Sequence, residues 1–283
     1  MPETTTATAA GTIDLGGDLT VQRMGFGAMR ITGNGIWGEP ADPDTCRAVL
    51  RRAVELGVDF IDTADSYGPE VSERLIAEAL HPYPENLVIA SKGGLQRPGP
   101  GRWDPDGRPE HLRAACEGSL ERLRVDEIPL YQLHRVDPRV PIEESVGALV
   151  QLKDEGKIRH IGLSNVDEKE IRRAMAVTPV VSVQNMFNLG KRRSAAVLDL
   201  CETEQLAFIP WAPIGQGAPS GKALARVAGA HGATQQQTAL AWLLARSPSI
   251  LPIPGTSSLA HLEENIAAAS LRLSQTEVDE LGL

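Results

Sequence analysis

From Met24 to Ile253 the chain repeats one pattern, a short apolar run followed by an amphipathic stretch. The runs are Met24–Gly27, Val58–Ile61, Leu87–Ser91, Ile128–Leu133, Ile158–Gly162, Val180–Gln184, Leu206–Pro210 and Ile250–Ile253. They are apolar without alternation, as strands buried on both faces are, and such strands belong to parallel sheets. The stretches between them carry apolar residues at helical spacing. Helices are predicted over Asp44–Leu56, Glu70–Leu80, Pro109–Leu123, Ile142–Glu155, Glu168–Met175, Ser194–Glu204, Thr234–Ser247 and Leu259–Ala269. Eight β-then-α units of about thirty residues predict an α/β fold, a (β/α)8 TIM barrel. An open doubly wound sheet is the alternative. Ahead of the repeat, Thr12–Leu15 and Leu19–Gln22 flank Gly16-Gly17-Asp18, which predicts a hairpin.

No linker or composition shift divides the 283 residues, so one domain over 1–283 is expected. The first ten residues, MPETTTATAA, lack the basic start and apolar centre of a signal peptide and read as a flexible tail. No window approaches eighteen consecutive apolar residues, so no membrane span is expected. Lys and Arg number 28 against 37 Asp and Glu, a formal charge of −9, and no basic run offers a footprint for nucleic acid. Cys46, Cys116 and Cys201 cannot all pair, and each lies in a predicted helix; a reducing cytoplasm is the simple reading. Their spacing suits no metal, so no metal site is expected. His81, His111, His160 and His231 are scattered and read as structural or exposed.

In a barrel, chemistry gathers where the strands end at their carboxyl side. The second run ends in Asp62, with Tyr67 five residues on. The third ends in Ser91-Lys92 and the fourth in Leu133-His134. Taken singly, Asp62 reads as a helix cap, Lys92 as a solvated loop residue, His134 as a satisfied core histidine and Tyr67 as packing. Together they place a carboxylate, a phenol, an ammonium and an imidazole on one rim. A phenol is a poor acid at neutral pH, but an ammonium beside it lowers its pKa and a carboxylate holds that ammonium in place. The set suits proton donation to a carbonyl oxygen, with the imidazole hydrogen-bonding to the same oxygen. No side chain donates hydride, so a nicotinamide cofactor is implied.

These residues lie in seven segments whose order resembles the aldo-keto reductases over essentially the whole chain. The segments are 57–68 (GVDFIDTADSYG), Ser91-Lys92, His134, 161–165 (IGLSN), Gln184-Asn185, 211–215 (WAPIG) and 253–257 (IPGTS) continuing through Glu264-Asn265. The resemblance implies a barrel whose bottom is closed by the amino-terminal hairpin. It implies a catalytic tetrad of Asp62, Tyr67, Lys92 and His134, with Tyr67 the proton donor. It implies that Ser164, Asn165 and Gln184 hold the nicotinamide carboxamide and that Trp211, where the family usually has Tyr, stacks on the ring. Gly27, Ala28 and Met29 would lie near the nicotinamide, Ala212, Pro213, Ile214 and Gly215 along the pyrophosphate, and Glu264 and Asn265 at the adenine. Gly255 and His261 stand where many members carry cations, while Thr256 and Ser257 keep hydroxyls for a 2′-phosphate. NADPH is the expected cofactor, with NADH open. Gly255→Lys or His261→Arg would then strengthen NADPH binding more than NADH binding.

The reading is a cytoplasmic NADPH-dependent reductase of small aldehydes or ketones, monomeric or homo-oligomeric. Its likeness is to bacterial members that include pyridoxal reductases, and pyridoxal is the specific substrate considered. Trp37, Trp103 and Phe187 are either pocket walls beside Tyr67 and His134 or simple loop packing. Arg135 is either a handle for an anionic substrate or a surface salt bridge, and Gly93–Arg108 is a candidate closing loop. A non-enzymatic cofactor-sensing subunit, and a barrel aldolase using Lys92 as a Schiff-base amine, are the alternatives.

Overall fold

A computed structural model describes residues 5–215 and 221–282. The hairpin forms as β1 (Thr12–Leu15) and β2 (Leu19–Gln22). Then follow β3 (Phe26–Gly27), α1 (Pro43–Glu55), β4 (Phe60–Asp62), α2 (Val71–Leu80) and β5 (Val88–Gly93). A short antiparallel pair, β6 (Leu95–Gln96) and β7 (Asp104–Pro105), precedes α3 (Pro109–Leu123). Next are β8 (Ile128–Leu133), α4 (Ile142–Asp154), β9 (Ile158–Ser164), α5 (Glu168–Met175), β10 (Ser182–Gln184), α6 (Ala195–Thr203) and β11 (Ala207–Phe208). Helices α7 (Lys222–Ala230), α8 (Gln235–Arg246), α9 (Leu259–Ala267) and α10 (Gln275–Gly282) complete the chain.

Seven parallel strands run β3-β4-β5-β8-β9-β10-β11. The segment at Ile250–Ile253 closes them. The Leu251 N–H donates to Phe208 O at 2.9 Å, and the Gly25 N–H donates to Pro252 O at 3.0 Å. The fold is therefore the (β/α)8 barrel. Phe60, Val88, Ala90, Leu130, Ala207, Ile209 and Leu251 fill its interior together with Leu15, Leu19 and Val21 of the hairpin, which plugs the amino-terminal end. Ile61, Ile89, Leu133, Ile161, Leu163 and Phe208 face the helices in a second core. Strand side chains alternate between these cores, so the residue two positions after the last inward apolar one also faces inward, at the open rim.

Three sequence expectations change, and one falls partly outside the described residues. Of the expected flexible tail, residues 1–4 lie outside the described residues, but Ala7–Ala10 form a 3₁₀ turn with Ala7 buried and its N–H bonded to Leu56 O at 2.8 Å. The connection at Gly93–Arg108 is not a plain loop, because it carries β6 and β7. The helix ladder has two members the sequence reading lacks, α7 and α10. The connection after the seventh run, Ala212–Ser220, is described only as far as Gly215.

Candidate active site

The four rim residues meet. Asp62 follows Phe60 by two residues and Lys92 follows Ala90 by two, while Gln132 and His134 follow Leu130 by two and four, so these side chains sit atop inward columns, and Tyr67 comes from the connection after β4. Lys92 Nζ donates to Asp62 Oδ2 at 2.6 Å, to Thr63 O at 2.8 Å and to Tyr67 Oη at 3.3 Å. Lys92 is 0% exposed and Asp62 2%. The other carboxylate oxygen, Oδ1, accepts from Gln132 Nε2 at 3.0 Å and Gln184 Nε2 at 2.8 Å. Both oxygens are thus held, as a buried carboxylate requires. Gly162 makes room for this: a Cβ there would lie 2.9 Å from Gln132 Cγ and 2.5 Å from Ser182 Oγ.

Burial pulls the Lys92 pKa down, but Asp62 and Tyr67 outweigh it and leave it above the ordinary value. Asp62 and Tyr67 thus favour the ammonium, which cannot attack a carbonyl, and this argues against a Schiff-base aldolase using Lys92. Tyr67 departs from expectation. Burial raises its pKa more than Lys92 lowers it, so the phenol stays protonated through neutral pH. A neutral phenol is the form a proton donor needs. His134 moves the other way: burial, then the charges of Lys92, Arg135 and Arg97, hold its pKa well below the usual imidazole value. Its Nδ1 lies 3.2 Å from Ser66 Oγ. With that hydroxyl donating to Nδ1, the neutral ring carries its proton on Nε2. The rings of Tyr67 and His134 meet edge-on at 5.7 Å.

The proposed cofactor residues line the adjoining rim, at the ends of β9 and β10 and beyond β11. Asn165 has φ 58°, a left-handed conformation that Asn tolerates. Its Nδ2 donates to His134 O and Ser164 Oγ, both at 3.0 Å, and its Oδ1 accepts from the Trp211 indole N–H at 3.1 Å. Gln184 has its amide nitrogen engaged on Asp62 rather than free for a carboxamide. Trp211, Ala212, Ile214 and Gly215 are half-buried and Pro213 buried. Gly27 ends β3 and Ala28 and Met29 open a 3₁₀ turn after it. Across the seam, Gly255 packs so closely that a Cβ would lie 2.2 Å from Gly27 O. Thr256 Oγ1 accepts from the Ser258 N–H, and Ser258 caps α9 by accepting from the His261 N–H. Ser257 and His261 are exposed, Glu264 half-buried and Asn265 buried.

Trp37 and Trp103 are both half-buried, and the Trp103 ring lies 6.4 Å from Tyr67 and 6.5 Å from His134. Phe187 is not a wall. It is buried in the outer core, stacked on Trp242 at 5.9 Å. Arg135 is exposed, with no carboxylate within 4.0 Å among the described residues, so the expected surface salt bridge is absent there. The sequence reading passes over Gln132 and Arg97. Gln132 left a signal, as a polar residue inside an apolar strand; Arg97 left none.

Asp65 lies behind the site with Oδ1 unpartnered. Burial, reinforced by Glu73, raises its pKa to about 8. The folded state therefore keeps a proton that the unfolded chain gives up near pH 4. That contribution to stability is whole at low pH and is lost as pH rises toward about 8. Asp65→Asn, neutral throughout, should gain stability over the parent by about 1.4 kcal/mol per pH unit between roughly pH 5 and pH 8. Urea midpoints at the two ends test this, and a gap independent of pH would mean Asp65 is ionised in the fold.

A model of the Aldo/keto reductase family matches residues 23–282. An uncharacterized oxidoreductase of Schizosaccharomyces pombe is 51% identical over 98% of this chain and 91% of its own length. Pyridoxine 4-dehydrogenase of Escherichia coli is 40% identical over 94% of this chain and 95% of its own. Among solved structures, a thermostable aldo-keto reductase in complex with the inhibitor epalrestat superposes with a TM-score of 0.86 at 29% identity, covering 96% of this chain and 98% of that one. An aldo-keto reductase of Klebsiella pneumoniae in complex with NADPH superposes with a TM-score of 0.80 at 28% identity, over 95% and 93% of the two chains.

Proposed function

The chain belongs to the aldo/keto reductase family, and from that premise we propose that it reduces small aldehydes with NADPH, taking the proton from Tyr67. The observation that carries this reading is the Lys92 ammonium held between the Asp62 carboxylate and the Tyr67 hydroxyl beneath His134. Tyr67 gives its proton to the carbonyl oxygen. Lys92, 3.3 Å from Oη, stabilises the phenolate left behind, and Asp62 keeps Lys92 charged and in register. His134 donates from Nε2 to the same oxygen. Bound NADPH supplies the hydride to the carbonyl carbon.

The rim fits that cofactor in chemistry. Ser164 and Asn165 offer hydroxyl and amide groups to a carboxamide, Gln184, whose amide nitrogen is held by Asp62, offers only its amide oxygen, and Trp211 offers a flat ring. At the start of α9, Thr256 and Ser257 add hydroxyls to the backbone N–H groups of the first turn, which suit a phosphate. The NADPH complex of the Klebsiella relative supports the same choice. Residues 1–283 act as one catalytic domain. No helix among the described residues is long and apolar enough to cross a membrane, and three buried free cysteines accord with the cytoplasm.

Trp37 and Trp103 favour a planar carbonyl compound by offset stacking. Pyridoxal is the leading substrate, and the likeness to pyridoxine 4-dehydrogenase supports it. NADPH absorbance with pyridoxal, 4-nitrobenzaldehyde and an aliphatic aldehyde should show turnover in all three and the highest kcat/KM for an aromatic one. A folded protein that oxidises NADPH with none of them overturns the reading. Because burial raises the Tyr67 pKa, kcat/KM for reduction should stay level from about pH 7 to 9 and fall only above about 10. A fall centred near neutrality would assign the proton to another group.

A further inference from the structure

The β6–β7 hairpin carries a charge that no carboxylate among the described residues neutralises. Gln96 pairs with Asp104 across it, so the next residues outward, Arg97 and Trp103, face each other at its tip. The Arg97 guanidinium lies 3.5 Å from the Trp103 ring centroid and 5.4 Å from that of Trp37. Arg97 is only 9% exposed. Its Nε donates to Arg102 O and its Nη1 to Ser66 O, each at 2.8 Å and each a neutral carbonyl. Nη2 is buried without a hydrogen-bond partner. No carboxylate among the described residues pairs with Arg97, whereas Arg122, also partly buried, has Glu73 at 2.7 Å. Two indole faces compensate a cation only in part. A desolvated charge lacking a counter-ion is costly, and its retention calls for a partner.

Its location says which partner. The carbonyl it binds belongs to Ser66, which precedes Tyr67 and contacts His134. The Trp103 ring on which it lies meets both of those rings edge-on. We propose that Arg97 is a specificity-determining residue that binds an anionic group, carboxylate or phosphate, carried by the carbonyl substrate. Nη2 has both N–H groups unused and Nη1 has one, along the edge that two anionic oxygens span in a bidentate pair. The indole faces fix the plane of that fork, and the two backbone carbonyls fix its direction. The inference rests on the reductase reading and narrows it: pyridoxal carries neither a carboxylate nor a phosphate, so the preferred substrate becomes a planar aldehyde that does.

The test compares kcat/KM for two matched pairs, 4-carboxybenzaldehyde with its methyl ester and pyridoxal 5′-phosphate with pyridoxal. The parent, Arg97→Met and Arg97→Lys are each read as the anionic-to-neutral ratio within a pair. Any loss from loosening Trp103 falls on both members and cancels. The parent should favour the anionic member of at least one pair. Arg97→Met should lower that ratio by about 30-fold or more, with Arg97→Lys between, since it keeps the charge without the fork. The pair that collapses identifies carboxylate or phosphate. Ratios unchanged within about threefold in both pairs overturn the assignment. Turnover of the neutral members separates the two readings: if it is present and the ratios hold, only the Arg97 role fails, and if no member of either pair turns over, the reductase reading fails.

Discussion

Tyr67→Phe is expected to fold and to bind NADPH as the parent does, yet to turn over about 10²–10⁴-fold more slowly. The ring and its edge contacts with Trp103 and His134 remain. Lys92 loses one of three partners and keeps the two shorter ones, Asp62 Oδ2 at 2.6 Å and Thr63 O at 2.8 Å. What disappears is the transferable proton. Steady-state kcat, read beside NADPH affinity from tryptophan quenching, checks both halves. A variant with near-parental kcat would take Tyr67 out of the chemistry. Lys92→Met is a poorer test, although it should also abolish turnover. It strands the Asp62 carboxylate in the barrel with only two amide donors, and leaving a buried charge unpaired costs about 3–5 kcal/mol. Its lost activity would be shared between catalysis and folding, so the phenol, not the amine, is the residue to change first.

The barrel and its rim were legible for the same physical reason. A strand buried on both faces must be apolar, so a charged or polar residue ending such a run stands out, and Asp62, Lys92 and His134 do. Gln132 leaves a weaker signal, because it interrupts the run Ile128–Leu133 rather than ending it. Its role depends on two other strands, through Asp62 Oδ1 and the space Gly162 leaves. Helix α7 escapes the sequence pattern because it is nine residues long, four of them Ala, and follows Gly221, which supplies no side-chain cap. Arg97 has no motif around it. Its setting between two tryptophans comes from a hairpin of two-residue strands that periodicity cannot register. Phe187 stays open in sequence because an aromatic residue beside a strand end reads alike whether it faces the pocket or the outer core, and the fold decides for the outer core. The Tyr67 pKa moved against expectation because proximity to Lys92 can be inferred from spacing, while the depth of burial that outweighs it cannot.

Gly255 marks where reasoning by likeness and reasoning by space part company. The sequence suggests adding a cation there to grip the 2′-phosphate of NADPH, as many relatives do. In the fold, Gly255 lies against the end of β3, and a Cβ would sit 2.2 Å from Gly27 O, a backbone atom that cannot swing aside. Gly27 is tight in turn, with its own Cβ position 2.7 Å from Ile253 O. Any side chain at 255 must therefore part β3 from the segment that closes the barrel. Gly255→Ala should already cost about 3 kcal/mol, the upper range for overpacking, and Gly255→Lys no less. NADPH binding should weaken in both, because the strand ends that frame the cofactor rim are the ones displaced. His261→Arg is the contrasting case. His261 is exposed in the first turn of α9, and the cap it receives from Ser258 uses its backbone N–H, which Arg also has. It should leave the unfolding free energy, measured in urea, within about 0.5 kcal/mol of the parent. It should also tighten NADPH more than NADH, since only NADPH presents a 2′-phosphate for a guanidinium to pair with. Equal effects on the two cofactors would move the phosphate away from α9. A Gly255→Ala protein as stable as the parent would show that the seam between Gly27 and Gly255 yields more readily than its packing implies.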